Sequence, residues 1–219
     1  SKKRVEGDPR KHRLELIQGD ILKTPLPFFD VCVANLPYNI SSPFLFKLLA
    51  HRPYFRCAVV MFQEEFAQRL SARPGDALYC RLSVNTQLLA KVTQLIKVGR
   101  NNFRPPPKVD SRVVRIELKN PPPPVNFVEW DGLVKLCFNR KNKTLRSLFT
   151  SKKVIADLET SWKTFAALRG TVGETPSIKA MVEEVVAEER FDGKRPAKMD
   201  QDDFLALLVA FNAKGLHFT

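Results

Sequence analysis

Residues 31–38, Val31-Cys32-Val33-Ala34-Asn35-Leu36-Pro37-Tyr38, decide how the rest of the chain is interpreted. The first four are small or β-branched and uncharged, which is typical of a strand buried on both faces of a sheet. Proline cannot continue a central strand, so the strand must end before Pro37. Asn35 and Tyr38 are therefore predicted at the carboxyl end of a central strand, the edge at which open α/β sheets bind ligands.

The flanking sequence alternates strand and helix patterns, which predicts an α/β layer. Strands are predicted at Leu14-Glu15-Leu16-Ile17, 57–62, 92–98 and 113–118, the last two as an antiparallel pair at the sheet edge. Helices are predicted from Ser41 to Leu49, at 63–70 and at 78–89. Gly19-Asp20 ends the first strand, so Asp20 is either an ordinary turn residue or an acceptor for an adenine amine or a ribose hydroxyl.

A run of prolines divides the chain. Asn120 precedes Pro121–Pro124, which predicts a semi-rigid linker at 121–125 between an α/β unit at 1–120 and a second unit at 126–219. The second unit has only helical patterns, which predicts a small all-helical domain. One helical pattern covers 127–138, and a second follows the basic turn and ends at Phe149. A third begins after Thr175-Pro176, and a fourth lies between Asp200 and Gly215.

A second motif precedes the last predicted strand. It consists of Phe103-Arg104-Pro105-Pro106-Pro107-Lys108-Val109-Asp110-Ser111. Three consecutive prolines stiffen this loop into an extended path. Phe103 on this loop is either a hydrophobic anchor or a platform on which a base can stack.

Positive charge is concentrated in two regions of the chain, whose formal net charge is +13. Residues 1–120 carry 21 Lys and Arg against 10 Asp and Glu, and residues 135–169 carry 9 against 2. Such clustering favours nucleic acid as the partner over a merely solvated surface, because basic side chains neutralise phosphates. The candidate nucleic-acid-binding residues are Arg104, Lys108, Arg140, Lys141, Lys143 and Arg146.

The remaining composition excludes several classes of protein. The four cysteines form no Cys-x-x-Cys pair, so we expect buried thiols and predict neither a metal site nor disulfides. No apolar run of about eighteen residues and no signal-peptide pattern occurs, so we expect no membrane partner and no secretion.

These motifs resemble the ribosomal RNA adenine N6-dimethyltransferases. The resemblance rests on Asn35-Leu36-Pro37-Tyr38, on the motif from Phe103 to Ser111, and on Gly19-Asp20 upstream. The Asn120–Pro124 linker and the ending from Phe211 to Phe218 are similar to the eukaryotic branch. The resemblance implies a Rossmann-like class I methyltransferase sheet followed by a helical rRNA-binding domain.

The resemblance also implies an activity. It is the S-adenosylmethionine-dependent dimethylation of two adjacent adenosines near the 3′ end of small-subunit rRNA. The reaction would accompany assembly of the small ribosomal subunit among pre-ribosomal particle proteins. The implied location is the nucleus or nucleolus, with the cytoplasm as the alternative.

Site residues follow from the two motifs and the resemblance. Oxygens of Asn35 and Leu36 would accept hydrogen bonds from the adenine amine, and Pro37 would fix the turn that presents them. Tyr38 and Phe103 would stack on the two faces of the extruded base. The implied cofactor-binding residues are Asp20, Ile21 and Asn35.

One feature of the family is absent from the sequence. Its members begin with a glycine-rich loop after the first strand, and no Gly-x-Gly-x-Gly occurs in these 219 residues. Leu14–Ile17 would then match the third strand of the family. We therefore expect the first two strands to be missing, and the strand at residue 31 to have an edge without a partner in this chain.

Two other classes of function are alternatives: a different methyltransferase and a protein without catalytic activity. DNA adenine and protein glutamine methyltransferases can share an Asn/Asp-Pro-Pro-Tyr/Phe turn, but Leu36, the second motif and the helical tail argue against them. A non-catalytic RNA-binding assembly factor would also explain the basic surface.

Overall fold

The computed structural model describes residue 9 and residues 11–168 and 176–218. Short apolar runs in the first half form a four-stranded mixed sheet. Its strands are β1 (Val31–Asn35), β2 (Cys57–Gln63), β3 (Ala90–Val98) and β4 (Ser111–Leu118). Their spatial order is β1-β2-β4-β3; β1 and β2 are parallel, and the other two pairs are antiparallel. The predicted antiparallel pair at the sheet edge is confirmed.

Three helices accompany the sheet. They are α1 (Ser41–Ala50), α2 (Glu64–Ser71) and α3 (Arg81–Leu89). Apolar residues of α1 and α2 pack against one face of the sheet, where Leu45, Leu48, Val60, Phe62 and Val114 have no exposed surface. The alternation of β1, α1, β2 and α2 along the chain is that of an α/β protein.

Strand β1 differs from its prediction. It lies at one end of the sheet, and Val33 is 79% exposed, whereas we predicted a central strand buried on both faces. Only Cys32 and Ala34, on the other face, contact the core. Among the described residues no strand pairs with the second edge of β1, which agrees with the expectation that this strand has an edge without a partner. Its apolar composition alone therefore did not determine its place in the sheet.

The predicted strand at Leu14–Ile17 is also wrong. These residues form no strand, and Leu14, Leu16 and Ile17 are about half exposed, at 46%, 52% and 54%. A strand is stable only when its backbone N–H and C=O groups pair with a neighbour. No described strand pairs with this segment, so its β propensity alone does not produce a strand.

Five α-helices and a short 3₁₀ helix, Pro196–Lys198, form the second half of the described chain. The α-helices are α4 (Phe127–Asn139), α5 (Leu145–Phe149), α6 (Lys152–Leu168), α7 (Ile178–Ala187) and α8 (Gln201–Ala213). The predicted start of α8 is confirmed, because Asp200 and Asp203 form a reciprocal capping box. The chain leaves α8 at Gly215, which has a φ of +71°. Helix α6 was not predicted, and Thr175 lies outside the described residues.

Helix α3 connects the two halves. Val84 and Leu88 of α3 are buried in the same core as Trp130 and Leu133 of α4. The indole Nε1 of Trp130 donates to Asn85 Oδ1 at 3.0 Å. The polyproline stretch therefore joins two units that share one core, although α3 belongs by sequence to the first unit.

Candidate active site

The two sequence motifs meet at one open cavity of about 200 Å³. Its lining consists of Asn35, Leu36, Pro37, Tyr38, Phe103, Pro105 and Pro107. The first motif reaches the cavity because β1 ends at Asn35 and Pro37 turns the chain into a short 3₁₀ helix, Tyr38–Ile40. The proline-rich loop between β3 and β4 supplies the other wall. All five residues predicted to be catalytic thus lie around one space.

In the first motif the polar side chain of Asn35 faces solvent and the apolar side chain of Leu36 faces the core. The Asn35 side chain is exposed at the carboxyl end of β1, whereas Leu36 packs against the core under the sheet. Tyr38 is half-buried. The partly buried Leu36 anchors the turn, so that the amide of Asn35 and the phenol of Tyr38 are held at its surface.

Ser111 fixes the ring of Tyr38. Its Oγ lies 2.7 Å from the phenol oxygen of Tyr38, and Ser111 has no exposed surface. Ser111 is both the last residue of the second motif and the first residue of β4. One hydrogen bond therefore joins the two motifs. The sequence indicated that Ser111 belongs to the motif, but not which group it contacts.

The acidic side chain of Asp110 holds the base of the Phe103 loop. The Asp110 carboxylate accepts hydrogen bonds from the backbone N–H of Arg100 at 3.0 Å and from Lys97 Nζ at 3.2 Å. These contacts lower the pKa of Asp110, and the hydrogen bond from the Arg100 backbone makes the largest contribution. Because the loop is tied at both ends, Phe103 is carried on a defined path.

Glu64 connects this loop to α2. Its carboxylate accepts from both Nε and Nη2 of Arg112, at 2.8 to 3.1 Å, and its backbone N–H donates to the carbonyl of Asp110 at 3.0 Å. The hydrogen bonds from Arg112 lower the pKa of Glu64. The paired side chains are about one-fifth exposed, at 17% and 22%. This bidentate pair fixes the start of β4, where Ser111 lies.

Two of the three predicted cofactor-binding residues, Asp20 and Ile21, lie in a tight turn, whereas Asn35 ends β1. The carbonyl of Asp20 accepts hydrogen bonds from the N–H groups of Lys23 and Thr24, and its Oδ1 accepts from Leu22 N at 2.9 Å. Asp20 is exposed, whereas Ile21 packs partly against the core. The turn therefore presents a carboxylate at the surface next to an anchored apolar residue.

Five of the six predicted RNA-binding residues are exposed. Arg104 and Lys108 extend from the Phe103 loop, and Arg140, Lys143 and Arg146 lie between α4 and α5 or at the start of α5. Lys141 differs, because its Nζ donates to the carbonyls of Ala77 and Tyr79, each at 2.8 Å. Its ammonium thus holds the α4–α5 turn against the segment before α3.

The described part of the chain contains neither a metal-binding cluster nor a membrane-spanning helix. Residues 11–168 and 176–218 contain no group of three or more His, Cys, Asp or Glu side chains that could hold a metal ion. Within the same residues no helix is both long enough and apolar enough to cross a membrane.

The sheet, the cavity at the end of β1 and the aromatic loop fit the Rossmann-like α/β class of methyltransferases, whose fold the solved structures described below share. Comparison with protein families then identifies the family: that of the ribosomal RNA adenine dimethylases matches residues 1–184. The chain belongs to this family. The family and the enzyme class predicted from the two motifs are confirmed.

Individual relatives support this assignment. A probable dimethyladenosine transferase of Dictyostelium discoideum is 60% identical over 219 residues, which are 99% of this chain and 70% of the relative. The crystal structure of a dimethyladenosine transferase from Plasmodium falciparum matches 100% of this chain and 79% of its own, with 46% identity and a TM-score of 0.91. The 23S rRNA methyltransferase ErmE shares the fold, with 23% identity, a TM-score of 0.62 and coverage of 96% of this chain and 76% of its own.

Proposed function

We propose that this protein uses S-adenosylmethionine to dimethylate N6 of two adjacent adenosines near the 3′ end of small-subunit rRNA. The observation that carries the proposal is the single cavity lined by both motifs. Its walls combine amide and carbonyl acceptors with two aromatic rings. That combination suits a flat base whose exocyclic amine reacts.

The acceptors would act on the lone pair of the adenine amine, which is delocalised into the ring. Hydrogen bonds from the amine to the Asn35 side-chain oxygen and the Leu36 carbonyl would turn the lone pair toward the methyl group and stabilise the positive charge that develops on nitrogen. When bound, S-adenosylmethionine would supply the methyl group for transfer to the amine nitrogen, and Asp20, Ile21 and Asn35 are the residues that would hold it. The methylated amine then loses a proton to water, so no strong base is required.

The aromatic residues would hold the base out of its RNA stack. Stacking on a side chain compensates for part of the lost base stacking, and each base–aromatic contact is worth about 1–3 kcal/mol. Tyr38 would contact one face of the adenine and Phe103 the other. Because Ser111 and the tied loop hold these rings, the cavity is organised before RNA binds.

The turn at Asp20 suits the adenosine part of the cofactor. The exposed carboxylate of Asp20 can accept a hydrogen bond from an adenine amine, and the anchored Ile21 offers an apolar contact beside it. We include Asn35 among the cofactor-binding residues, because it is exposed at the carboxyl end of β1, the end of a strand at which open α/β sheets bind ligands.

The basic residues of the helical part would bind rRNA. We infer that Arg140, Lys143 and Arg146 contact phosphates, together with Arg104 and Lys108 near the cavity. The enzyme would act during assembly of the small subunit, among pre-ribosomal particle proteins, in the nucleus or nucleolus.

Methyl transfer to a 3′-terminal segment of small-subunit rRNA tests the proposal. With the full-length protein, Asn35→Ala should lower kcat at least about 100-fold, because it removes an acceptor that acts on the reacting amine. Asn39→Ala is the matched control, since Asn39 is exposed and does not line the cavity. A purely structural assembly factor would transfer no methyl group with any variant.

A further inference from the structure

The ammonium group of Lys47 is surrounded by three backbone carbonyls of the Asp20 turn. Nζ lies 2.8 Å from the oxygen of Ile21, 3.0 Å from that of Leu22 and 2.6 Å from that of Thr24. An ammonium group has three protons, so these carbonyls can use its whole donor capacity. Lys47 is half-buried and is the only charged residue of α1. A role in binding phosphate is therefore excluded while this arrangement holds.

These three contacts complete the hydrogen bonding of the turn. Inside the turn the N–H groups of residues 22, 23 and 24 already donate to Asp20. The turn is also tight at its start, because a Cβ on Gly19 would lie 2.4 Å from Thr24 Oγ1. Lys47 thus satisfies from outside the carbonyls that internal N–H groups leave free. The ammonium group of Lys47 is therefore the hydrogen-bond donor for three backbone carbonyls of the turn.

Lys47 also connects the turn to the reaction site. Helix α1 begins at Ser41, directly after the 3₁₀ helix that contains Tyr38. Near the middle of α1, Lys47 reaches back to Ile21, whose neighbour Asp20 has the exposed carboxylate. One side chain therefore sets the position of the turn relative to the helix that follows the Asn35–Tyr38 motif.

We propose that Lys47 is a positioning residue for the cofactor: it holds Asp20 and Ile21 in the conformation that binds the adenosine part of S-adenosylmethionine. This inference rests on the proposed function. Lys47 itself need not touch the cofactor. Its absence would leave three carbonyls without their donor, and since the turn is partly exposed, water can replace that donor while the turn loses its fixed geometry. The affinity for the cofactor should fall while the fold is retained.

Equilibrium binding of S-adenosylmethionine to the full-length protein provides the test. Lys47→Met keeps the length of the side chain and removes its donors, and we expect at least a tenfold rise in Kd. Lys23→Met is the matched control, because Lys23 lies in the same turn and is exposed. Steady-state methylation should show KM for S-adenosylmethionine raised at least tenfold, with KM for RNA changed less than twofold. A variant that is merely less folded would instead lose kcat with both KM values unchanged.

Lys47→Arg covers the case in which Lys47→Met does not fold. Arginine keeps the charge, but its planar guanidinium cannot direct three N–H groups at three convergent carbonyls as an ammonium does. We expect a three- to tenfold rise in Kd, and an unchanged Kd would overturn the inference. If the wild-type protein binds and methylates while Lys47→Met matches Lys23→Met, only the role of Lys47 is wrong. If the wild-type protein does neither, the proposed function is wrong and the role of Lys47 with it.

Discussion

At the scale of single residues, the hydrogen bond between Ser111 and Tyr38 is the direct link between the two motifs. It connects residues 73 positions apart in the sequence. Since Ser111 is fully buried at the start of β4, it is held more firmly than the half-buried Tyr38. The hydroxyl of Ser111 therefore orients the phenol, and through it the ring that we expect to stack on adenine.

Removing either partner of this bond should slow methyl transfer. We predict that Ser111→Ala and Tyr38→Phe each lower kcat about fivefold, in line with about 1 kcal/mol for one hydrogen bond. Both substitutions remove the same interaction, so the double variant should be no slower than the slower single variant. Ser42→Ala, an exposed hydroxyl in α1, is the control. Multiplying effects in the double variant would show that the bond does not couple the motifs.

The Glu64–Arg112 pair should make stability depend on pH. The folded-state pKa of Glu64 is lowered from its ordinary value of 4.5, mainly by the Arg112 hydrogen bonds. The unfolded state therefore binds the proton more readily, and the stabilisation present above pH 4.5 is lost as pH falls through the folded-state pKa. We predict that Glu64→Gln lowers the free energy of unfolding by about 1 kcal/mol at pH 7.

Urea unfolding at several pH values checks this prediction. The difference in stability between wild type and Glu64→Gln should be constant above about pH 5 and should shrink at lower pH. Glu65→Gln is the control, because the neighbouring Glu65 side chain is 63% exposed. A Glu64→Gln difference that stays constant down to pH 3 would contradict the assignment.

Residue types predicted much of the candidate site, but not the contacts that support it. The Asn-Leu-Pro-Tyr turn and the proline-rich loop are local features, so their residues could be read from the sequence. The partners of Ser111 and Lys47 are distant in sequence, and no local pattern specifies them. The one available signal for Lys47 was its position as a lone charge within the apolar run Phe44–Ala50.

At the scale of elements, local patterns predicted where most helices and strands lie, and β1 to β4 begin within two residues of their predicted starts. Helices α2, α3 and α4 begin within three residues of their predicted starts, because their stability depends on local spacing and caps. Strands also depend on neighbours, so Leu14–Ile17 forms none and β1 lies at the end of the sheet. Helix α6 was missed although Val154, Ile155, Leu158 and Trp162 recur at helical spacing and pack on the helical core.

The turn between α4 and α5 should carry part of the RNA affinity. We predict that replacing Arg140, Lys143 and Arg146 together by Gln weakens rRNA binding and reduces the slope of log K against log salt by about 2, as expected for three lost contacts to single-stranded phosphates. Lys141 is left unchanged because its ammonium holds two backbone carbonyls. Filter binding at several salt concentrations measures both quantities.

Lys179→Gln is the control for this experiment. Lys179 is an exposed lysine of α7 paired with Glu183 and lies outside the basic turn. Its loss should leave the slope within experimental error. A triple variant with unchanged affinity and slope would show that the basic turn is only a solvated surface.

At the scale of the whole molecule, the reaction site and the basic helical part are joined by a shared core. Helix α3 packs against α4, and Arg81 and Asn85 of α3 both donate to Asp131 of α4. Lys141 and Tyr79 add hydrogen bonds between the same two halves, Tyr79 through its hydroxyl to the carbonyl of Met199 at 2.8 Å. RNA bound by the helical part is therefore held at a defined distance from the cavity.

The central claim is that this cavity dimethylates adenine in rRNA. Mass spectrometry of a nuclease digest tests it most directly, after the full-length protein has acted on small-subunit rRNA with S-adenosylmethionine. We predict N6,N6-dimethyladenosine at two adjacent positions near the 3′ end with the wild-type protein, and unmodified adenosine at both positions with Asn35→Ala. Wild-type protein that leaves these adenosines unmethylated, or an Asn35→Ala variant that dimethylates them as completely as wild type in the time in which the wild-type reaction just reaches completion, would contradict the account.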